Sequence, residues 1–201
     1  MLNLLNGYMK FREEIYPEHR KLFESLHSGQ APETLIISCS DSRVDLNWVT
    51  QAKPGDVFYV RNAGNLVPRA DRGEHAVAGA IEFAVKKLPI RDIVVCGHSD
   101  CGAMKGLKDG VAENDDSAVS GWLRLAAEQT PDASVLDLEA LIRINVGRQL
   151  ENLRSYPFIA ERVEKRELRL WGWVYDIGSS RILQLHESNS GFRMLDFDAV
   201  T

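Results

Sequence analysis

The chain has 201 residues, 44% of them hydrophobic and 26% charged, which is enough to build one globular domain without disulfide bonds. Its net charge of −5 argues against a nucleic-acid-binding surface, which requires a basic patch. No apolar run approaches the roughly 20 residues of a membrane helix, and the first dozen residues lack the apolar core of an export signal. With three cysteines and no such signal, we predict a cytoplasmic protein that binds neither nucleic acid nor membrane.

The first segment, from Leu2 to about Ser28, has a helical pattern that is interrupted at Pro17. Proline is tolerated in the first turn of a helix, so we place Pro17 at the start of a second helix. The sequence therefore predicts an N-terminal helical arm over about 1–28, within a single domain spanning 1–201.

Beyond the arm, strand and helix patterns alternate. Short apolar, β-branched runs bounded by turn residues predict strands over 34–38, 57–60, 91–96, 168–175 and 181–185. Helical patterns cover 75–88, 102–108 and 157–165, and a long helix begins at a capping box of Ser134 and Asp137. This alternation predicts an α/β fold with a central, mostly parallel sheet flanked by helices, in which the last strand is antiparallel.

Two short motifs, Cys39-Ser-Asp-Ser-Arg43 and His98-Ser-Asp-Cys101, each follow directly on a predicted strand. The carboxyl ends of parallel strands converge at one edge of a sheet, so Cys39, His98 and Cys101 are expected to meet there. Gly97 would permit a tight turn off its strand, and Cys101 would open a helix whose N-terminus favours a thiolate. Two thiolates and one imidazole predict one Zn²⁺ per subunit with its fourth position open, as in catalytic sites.

Other chemistries fit these cysteines less well. Cysteine-dependent phosphatases place an arginine six residues after the nucleophile, whereas Arg43 follows Cys39 by only four and leaves too few backbone N–H groups for a phosphate. A thiol redox site would use Cys-x-x-Cys, which is absent from the sequence. Cys96 belongs to an apolar run, and we interpret it as a buried structural residue.

Asp41 and Arg43 form a second informative pair. Residues two apart on an extended segment point the same way, so the carboxylate and the guanidinium can form a bidentate ion pair. Such a pair can be purely structural, closing the loop. Beside a metal, however, Asp41 could itself become a ligand unless Arg43 holds it away, and it could then accept a proton.

The sequence resembles the β-class carbonic anhydrases over most of its length. The matching blocks are Cys39-Ser-Asp-Ser-Arg43, Arg61-Asn-Ala-Gly-Asn65, Gly79-Ala-Ile-Glu-Phe83 and Cys96-Gly-His-Ser-Asp-Cys-Gly102. The resemblance implies that Cys39, His98 and Cys101 bind zinc and that Asp41 with Arg43 is the catalytic dyad. It also implies a homodimer or tetramer in which the N-terminal helices embrace the partner and each active site lies at the subunit interface.

By the same resemblance, Gln30, Phe58 and Phe83 bind the substrate, carbon dioxide or bicarbonate. The Gly102 N–H, at the start of a predicted helix, is expected to donate to the forming bicarbonate. Phe83 replaces a pocket tyrosine, and Lys87 stands where some plant enzymes have a histidine linked with proton shuttling. In the bicarbonate-inhibited subclass a tryptophan, an arginine and a tyrosine hold a regulatory bicarbonate. Arg61 and Tyr175 fit two of these positions, but Ile36 replaces the tryptophan. We therefore expect the open, plant-type site, with Asp41 a zinc ligand only in the closed form.

The predicted function is the zinc-dependent, reversible hydration of carbon dioxide to bicarbonate and a proton. Two alternatives remain at this point. One is hydrolysis of the linear analogues CS2 or COS on the same fold, which the zinc motifs do not distinguish. The other is a non-catalytic, zinc-stabilised binding protein, in which the Asp41–Arg43 pair would have no chemical role.

Overall fold

The computed structural model describes residues 1–73, 75–114, 116–185 and 191–195. Within these ranges six strands form one sheet with the order β2-β1-β3-β4-β5-β6. The strands are β1 (Thr34–Cys39), β2 (Val57–Asn62), β3 (Asp92–His98), β4 (Arg169–Asp176), β5 (Arg181–Leu185) and β6 (Phe192–Met194). The first four are mutually parallel, and β5 pairs antiparallel with both β4 and β6. The mostly parallel sheet is confirmed, while β6 was not predicted.

Helices flank this sheet and precede it. They are α1 (Leu2–Lys10), α2 (Tyr16–Glu18), α3 (Arg20–His27), α4 (Leu46–Thr50), α5 (Ala76–Lys87), α6 (Gly102–Lys108), α7 (Val111–Asn114), α8 (Ala118–Ala127), α9 (Leu138–Arg154) and α10 (Pro157–Glu164). A π-helical turn, Phe11–Ile15, joins α1 to α2, and Pro17 lies in the first turn of α2 as predicted. Helices α4, α7 and α8 were not predicted from the sequence. None of the helices in the described ranges is long and apolar enough to cross a membrane.

The start of α9 differs from the prediction. The Asp137 side chain accepts a hydrogen bond of 2.8 Å from the N–H of Ala140, which makes Asp137 the N-cap. The helix therefore begins at Leu138, and Ser134 lies in the turns before it. A carboxylate can accept the hydrogen bond from a free N–H of the first turn as well as a hydroxyl can. The capping box of Ser134 and Asp137 therefore placed the helix start three residues too early.

Successive side chains of a strand point to opposite faces of the sheet. The two faces carry hydrophobic clusters of unequal size. On one face Leu35, Ile37, Ile93 and Val95 belong to the main core, which also contains the buried apolar side chains of α5 and α9. On the other face a smaller cluster of buried residues is packed with partly buried aromatic side chains. Its buried members are Ile36, Val44, Leu46, Val94, Cys96 and Tyr175. As interpreted from sequence, Cys96 is fully buried, and burial raises the pKa of its thiol to about 12.

Gly97 lies within β3 and not in a turn after it, so the reason given for this glycine was wrong. A Cβ at this position would lie 2.9 Å from Cγ2 of Val146 and 3.3 Å from Cγ2 of Ile142, both on α9. Gly172 on β4, which pairs with Val95, has a similar environment, with a Cβ placed 3.0 Å from side-chain atoms of Val146 and Leu150. The two glycines let α9 approach the sheet closely, next to the end of β3 that carries His98.

Candidate metal centre

Three chain segments bring the predicted metal ligands together. Cys39 is the last residue of β1, His98 is the last residue of the neighbouring strand β3, and Cys101 is the N-cap of α6. Their ligand atoms all lie within 4.8 Å of one another, and all three residues are buried. This convergence at the carboxyl edge of the sheet agrees with the prediction from the two motifs.

The tautomer of His98 fits a metal ligand. Nδ1 lies 2.9 Å from the carbonyl oxygen of Ser99, which places the ring proton on Nδ1. Nε2 is buried and has no hydrogen-bond partner among the described residues. A buried nitrogen with a free lone pair is costly unless something occupies it. Together with two thiols, it forms a donor set suited to zinc.

The two cysteine thiols shift each other's pKa in opposite directions. A hydrogen bond from Cys101 is the main reason why the pKa of Cys39 is lowered to about 4, with smaller contributions from His98 and from the N–H of Gly64. That N–H lies 3.4 Å from Sγ of Cys39. The same sulfur–sulfur contact raises the pKa of Cys101. A divalent cation held by these residues would stabilise both thiolates, the form that binds metals.

The Asp41 carboxylate is held beside this site by Arg43. Its Oδ1 accepts hydrogen bonds from the backbone N (2.9 Å) and Nε (3.0 Å) of Arg43, and its Oδ2 accepts one from Nη2 (2.8 Å). These side-chain and backbone hydrogen bonds hold the pKa of Asp41 well below its usual range. Oδ2 also lies 3.9 Å from Nε2 of His98. The pair forms within a turn and not on an extended segment, since the N–H of Arg43 folds back onto the carboxylate.

Two residues whose position the motifs did not reveal stabilise this turn. Nη1 of Arg43 donates to Oδ2 of Asp100 at 2.9 Å, and Asp100 also pairs with Lys105. Arg61 donates to the carbonyl oxygens of Cys39 (3.2 Å), Asp41 (3.0 Å) and Val44 (2.7 Å). From the sequence, Asp100 was known only as a member of the motif His98-Ser-Asp-Cys101 and had no predicted role. Arg61 was predicted only to fit a position that holds a regulatory bicarbonate. In the structure the Arg61 guanidinium binds the backbone of the dyad loop.

The predicted substrate residues lie in different surroundings. The rings of Phe58 and Phe83 are adjacent, with centroids 6.0 Å apart, and Phe83 is 48% exposed. Gly102 begins α6 next to Cys101. Gln30 is exposed, and its side chain makes no hydrogen bond to another residue in the described part of the chain.

The comparisons with known proteins agree with this site. Residues 34–182 match a family model described as carbonic anhydrase. A carbonic anhydrase of Pseudomonas aeruginosa is 43% identical, covering 96% of this chain and 90% of the relative. The solved β-carbonic anhydrase CcaA is 38% identical, with a TM-score of 0.90 over 97% of this chain and 99% of that one. A further match is one of two tetrameric β-carbonic anhydrases of Sordaria macrospora, at 31% identity, a TM-score of 0.70, and 91% and 92% coverage.

The chain therefore belongs to the β-class carbonic anhydrases. Enzymes of this class use zinc and catalyse the reversible hydration of carbon dioxide, and this is the activity of the family to which the fold and the metal centre assign the chain. The fold class, the reaction and the zinc cofactor predicted from sequence are confirmed at this level.

Proposed function

We propose that the chain hydrates carbon dioxide at a zinc ion held by Cys39, His98 and Cys101, with Asp41 and Arg43 as the catalytic dyad. Bound zinc supplies a nucleophile near neutral pH, because it lowers the pKa of water. The observation that carries the assignment is the placement of Asp41 Oδ2, 3.9 Å from the free Nε2 of His98. No other carboxylate in the described part of the chain lies within 4.0 Å of the His98 imidazole nitrogens.

Asp41 acts as an acceptor in this scheme. Its low pKa keeps the carboxylate ionised at physiological pH, so it accepts a hydrogen bond from the attacking water and fixes the direction of the oxygen lone pair. Arg43 positions the carboxylate by its fork of donors. The same hydrogen bonds favour the open site, because Asp41 would have to leave Arg43 to become a fourth ligand in the closed form.

We further propose that Phe58 and Phe83 form the apolar wall against which carbon dioxide binds, and that Gln30 and the Gly102 N–H bind the product bicarbonate. The contact between the two rings supports a shared wall. The exposure of Gln30 and Phe83 in a single copy supports a pocket that a second copy completes.

The assembly would place the active site at a subunit interface. Helix α1 has no buried residue. Its exposed apolar side chains are Leu2, Leu4, Leu5, Tyr8 and Met9. Such a surface needs a partner, and the matching Sordaria macrospora enzyme is tetrameric. We propose that α1 packs on a second copy of the chain. The need for free thiols at the metal centre favours a reducing compartment, the cytoplasm.

The test is carbon dioxide hydration by stopped-flow across pH, together with zinc content, for wild type, Asp41→Asn and Asp45→Asn. Asp45 caps α4 and serves as the matched control, since asparagine also caps helices. We expect Asp41→Asn to retain zinc and to lose activity on the order of 100-fold, whereas Asp45→Asn retains both. An Asp41→Asn enzyme with full activity at every pH would remove Asp41 from the mechanism.

A further inference from the structure

The peptide group between Ala63 and Gly64 is hydrogen-bonded at both ends. Its N–H, which belongs to Gly64, lies 3.4 Å from Sγ of Cys39. Its carbonyl oxygen, which belongs to Ala63, accepts a hydrogen bond of 2.7 Å from Nε1 of Trp122. The peptide bonds of the described residues are all trans, so this N–H and this carbonyl point in opposite directions within one rigid plane. Trp122 and Cys39 therefore bind the two ends of a single rigid group.

Trp122 is a fixed donor from a distant part of the chain. It lies on α8, 59 positions from Ala63, and its partly buried ring packs against the main core. An indole has one N–H and no acceptor, so the orientation of the ring sets the direction of its hydrogen bond. Ala63 itself is exposed, and water can reach its carbonyl if the indole N–H is removed. A water molecule would satisfy the oxygen without fixing its direction.

Gly64 provides space for this peptide group but little rigidity. Its φ is +81°, a conformation that glycine adopts readily and other residues only with strain. A Cβ at this position would lie 3.1 Å from Cβ of Ala103 and 3.3 Å from Cε of Met104, both on α6. The loop can thus approach the helix that begins after Cys101 only with glycine here. Because the backbone of glycine is permissive, a side chain has to hold the peptide plane in position.

We propose that Trp122 is a positioning residue that directs the N–H of the Ala63–Gly64 peptide group at the Cys39 sulfur and thereby tunes this thiolate as a metal ligand. The inference rests on the ligand set proposed above. A hydrogen bond accepted by the carbonyl also polarises the N–H of the same peptide group, so the two bonds strengthen each other. An N–H···S bond withdraws electron density from sulfur, and groups that orient the ligands influence metal affinity.

The main experiment uses protein loaded with ¹¹³Cd, in which an N–H···S bond transmits a scalar coupling between the Gly64 amide proton and the cadmium nucleus. Trp122→Phe keeps an aromatic ring and removes the N–H. Trp171→Phe is the matched control, because Nε1 of Trp171 also donates a bond of 2.7 Å, to Oδ1 of Asp92. Asp92 begins β3, at the end of the strand opposite His98. We expect the coupling in wild type and in Trp171→Phe, and its loss in Trp122→Phe.

Two further measurements follow the sulfur itself. In the cobalt(II)-substituted protein, the thiolate-to-metal charge-transfer band should move to lower energy in Trp122→Phe and stay in place in Trp171→Phe. In competition with a chelator, the dissociation constant for zinc should rise about tenfold in Trp122→Phe only. A purely structural role of the ring would lower the melting temperature without moving the band.

A Gly64–cadmium coupling of equal size in wild type and Trp122→Phe would overturn the positioning role, as would an equal decrease in both variants. Absence of the coupling in a wild type whose cysteine β-protons couple to cadmium would remove the N–H···S contact. A wild type in which the β-protons of Cys39 and Cys101 show no coupling to cadmium would instead contradict the proposed ligand set, so the two failures are distinguishable.

A measurement on the wild type is independent of the folding of the variants. The hydrogen bond from Trp122 to Ala63 should transmit a scalar coupling between the indole ¹⁵N nucleus and the carbonyl ¹³C nucleus. Absence of this coupling in the cadmium-loaded wild type would break the link between Trp122 and the peptide group and contradict the inference.

Discussion

Nη1 of Arg43 lies 2.9 Å from Oδ2 of Asp100, although the two residues are 57 positions apart in the chain. Arg43 thus bridges the carboxylates of both cysteine motifs, Asp41 from the first and Asp100 from the second. Hydrogen bonds to these carboxylates, that to Asp41 above all, raise the pKa of Arg43. The ion pairs tie the loop after β1 to the loop after β3, so the segments that carry the three ligands are held in register with each other.

The first prediction separates the two carboxylate contacts of Arg43. Lysine cannot reproduce the fork that binds Asp41, so we expect Arg43→Lys to lower kcat/KM for carbon dioxide hydration by about tenfold or more. Asp100→Asn removes only half-exposed ion pairs, with Arg43 and Lys105, and such surface pairs contribute little. It should change kcat/KM by less than about fivefold. Stopped-flow assays at equal zinc content test this. A larger loss of kcat/KM in Asp100→Asn than in Arg43→Lys would show that the contact of Arg43 with Asp100 matters more for activity than its contact with Asp41.

The second prediction concerns the stability at mildly acidic pH. Nδ1 of His75 accepts a hydrogen bond of 3.2 Å from the N–H of Ala78 and so caps α5. Partial burial lowers the pKa of His75, so the neutral ring is favoured in the folded state. Its contribution is present above the unfolded pKa of about 6.5 and is lost as the pH falls through the lower folded value.

We therefore expect the melting temperature of the wild type to fall more between pH 7 and pH 5 than that of His75→Asn, in which the cap does not titrate. Loss of an N-cap hydrogen bond costs about 1 kcal/mol. Calorimetry at several pH values measures the difference between the two proteins, and metal release affects both alike. Identical pH dependence would show that His75 does not cap α5 through its neutral ring.

The third prediction tests the close approach of α9 to the sheet. A Cβ on residue 97 would lie 2.9 Å from Cγ2 of Val146, so Gly97→Ala should destabilise the fold by about 1–3 kcal/mol through overpacking. Removing the opposing methyl groups in Val146→Ala should relieve part of this strain. In chemical denaturation of the apoprotein, the double variant is expected to lose less stability than the sum of the single losses. Simple additivity would mean that the two side chains do not collide.

The fourth prediction addresses the proposed interface. Leu4 on α1 is 77% exposed in the single chain, and burying such a side chain contributes about 2 kcal/mol. Leu4→Glu should therefore shift the oligomer towards smaller species in sedimentation velocity and reduce activity at low protein concentration. Val135→Glu is the control, since Val135 is 80% exposed but lies outside the arm. Dissociation by Val135→Glu alone would place the interface elsewhere.

Local sequence patterns were sufficient to predict the strands that lead to the metal centre. The strand preceding each cysteine motif could be identified from short apolar runs, and the edge where those strands end follows from parallel pairing, so Cys39, His98 and Cys101 were placed correctly. The predicted start of α9 was wrong, because it depends on whether Ser134 or Asp137 accepts the hydrogen bond from the first turn. The predicted role of Gly97 was wrong, because it depends on the distance between α9 and the sheet.

By itself, the sequence determined the candidate ligand set, the alternation of strands and helices and the family to which they belong, since these depend on residue type and spacing along the chain. Only the tertiary structure decided that Arg43 joins Asp41 to Asp100, that Arg61 binds backbone carbonyls, and that Gly97 lies against Val146 of α9. These contacts join segments far apart in the chain. Their partners are fixed by the register of neighbouring strands and by the packing of α9 on the sheet, which no local pattern encodes.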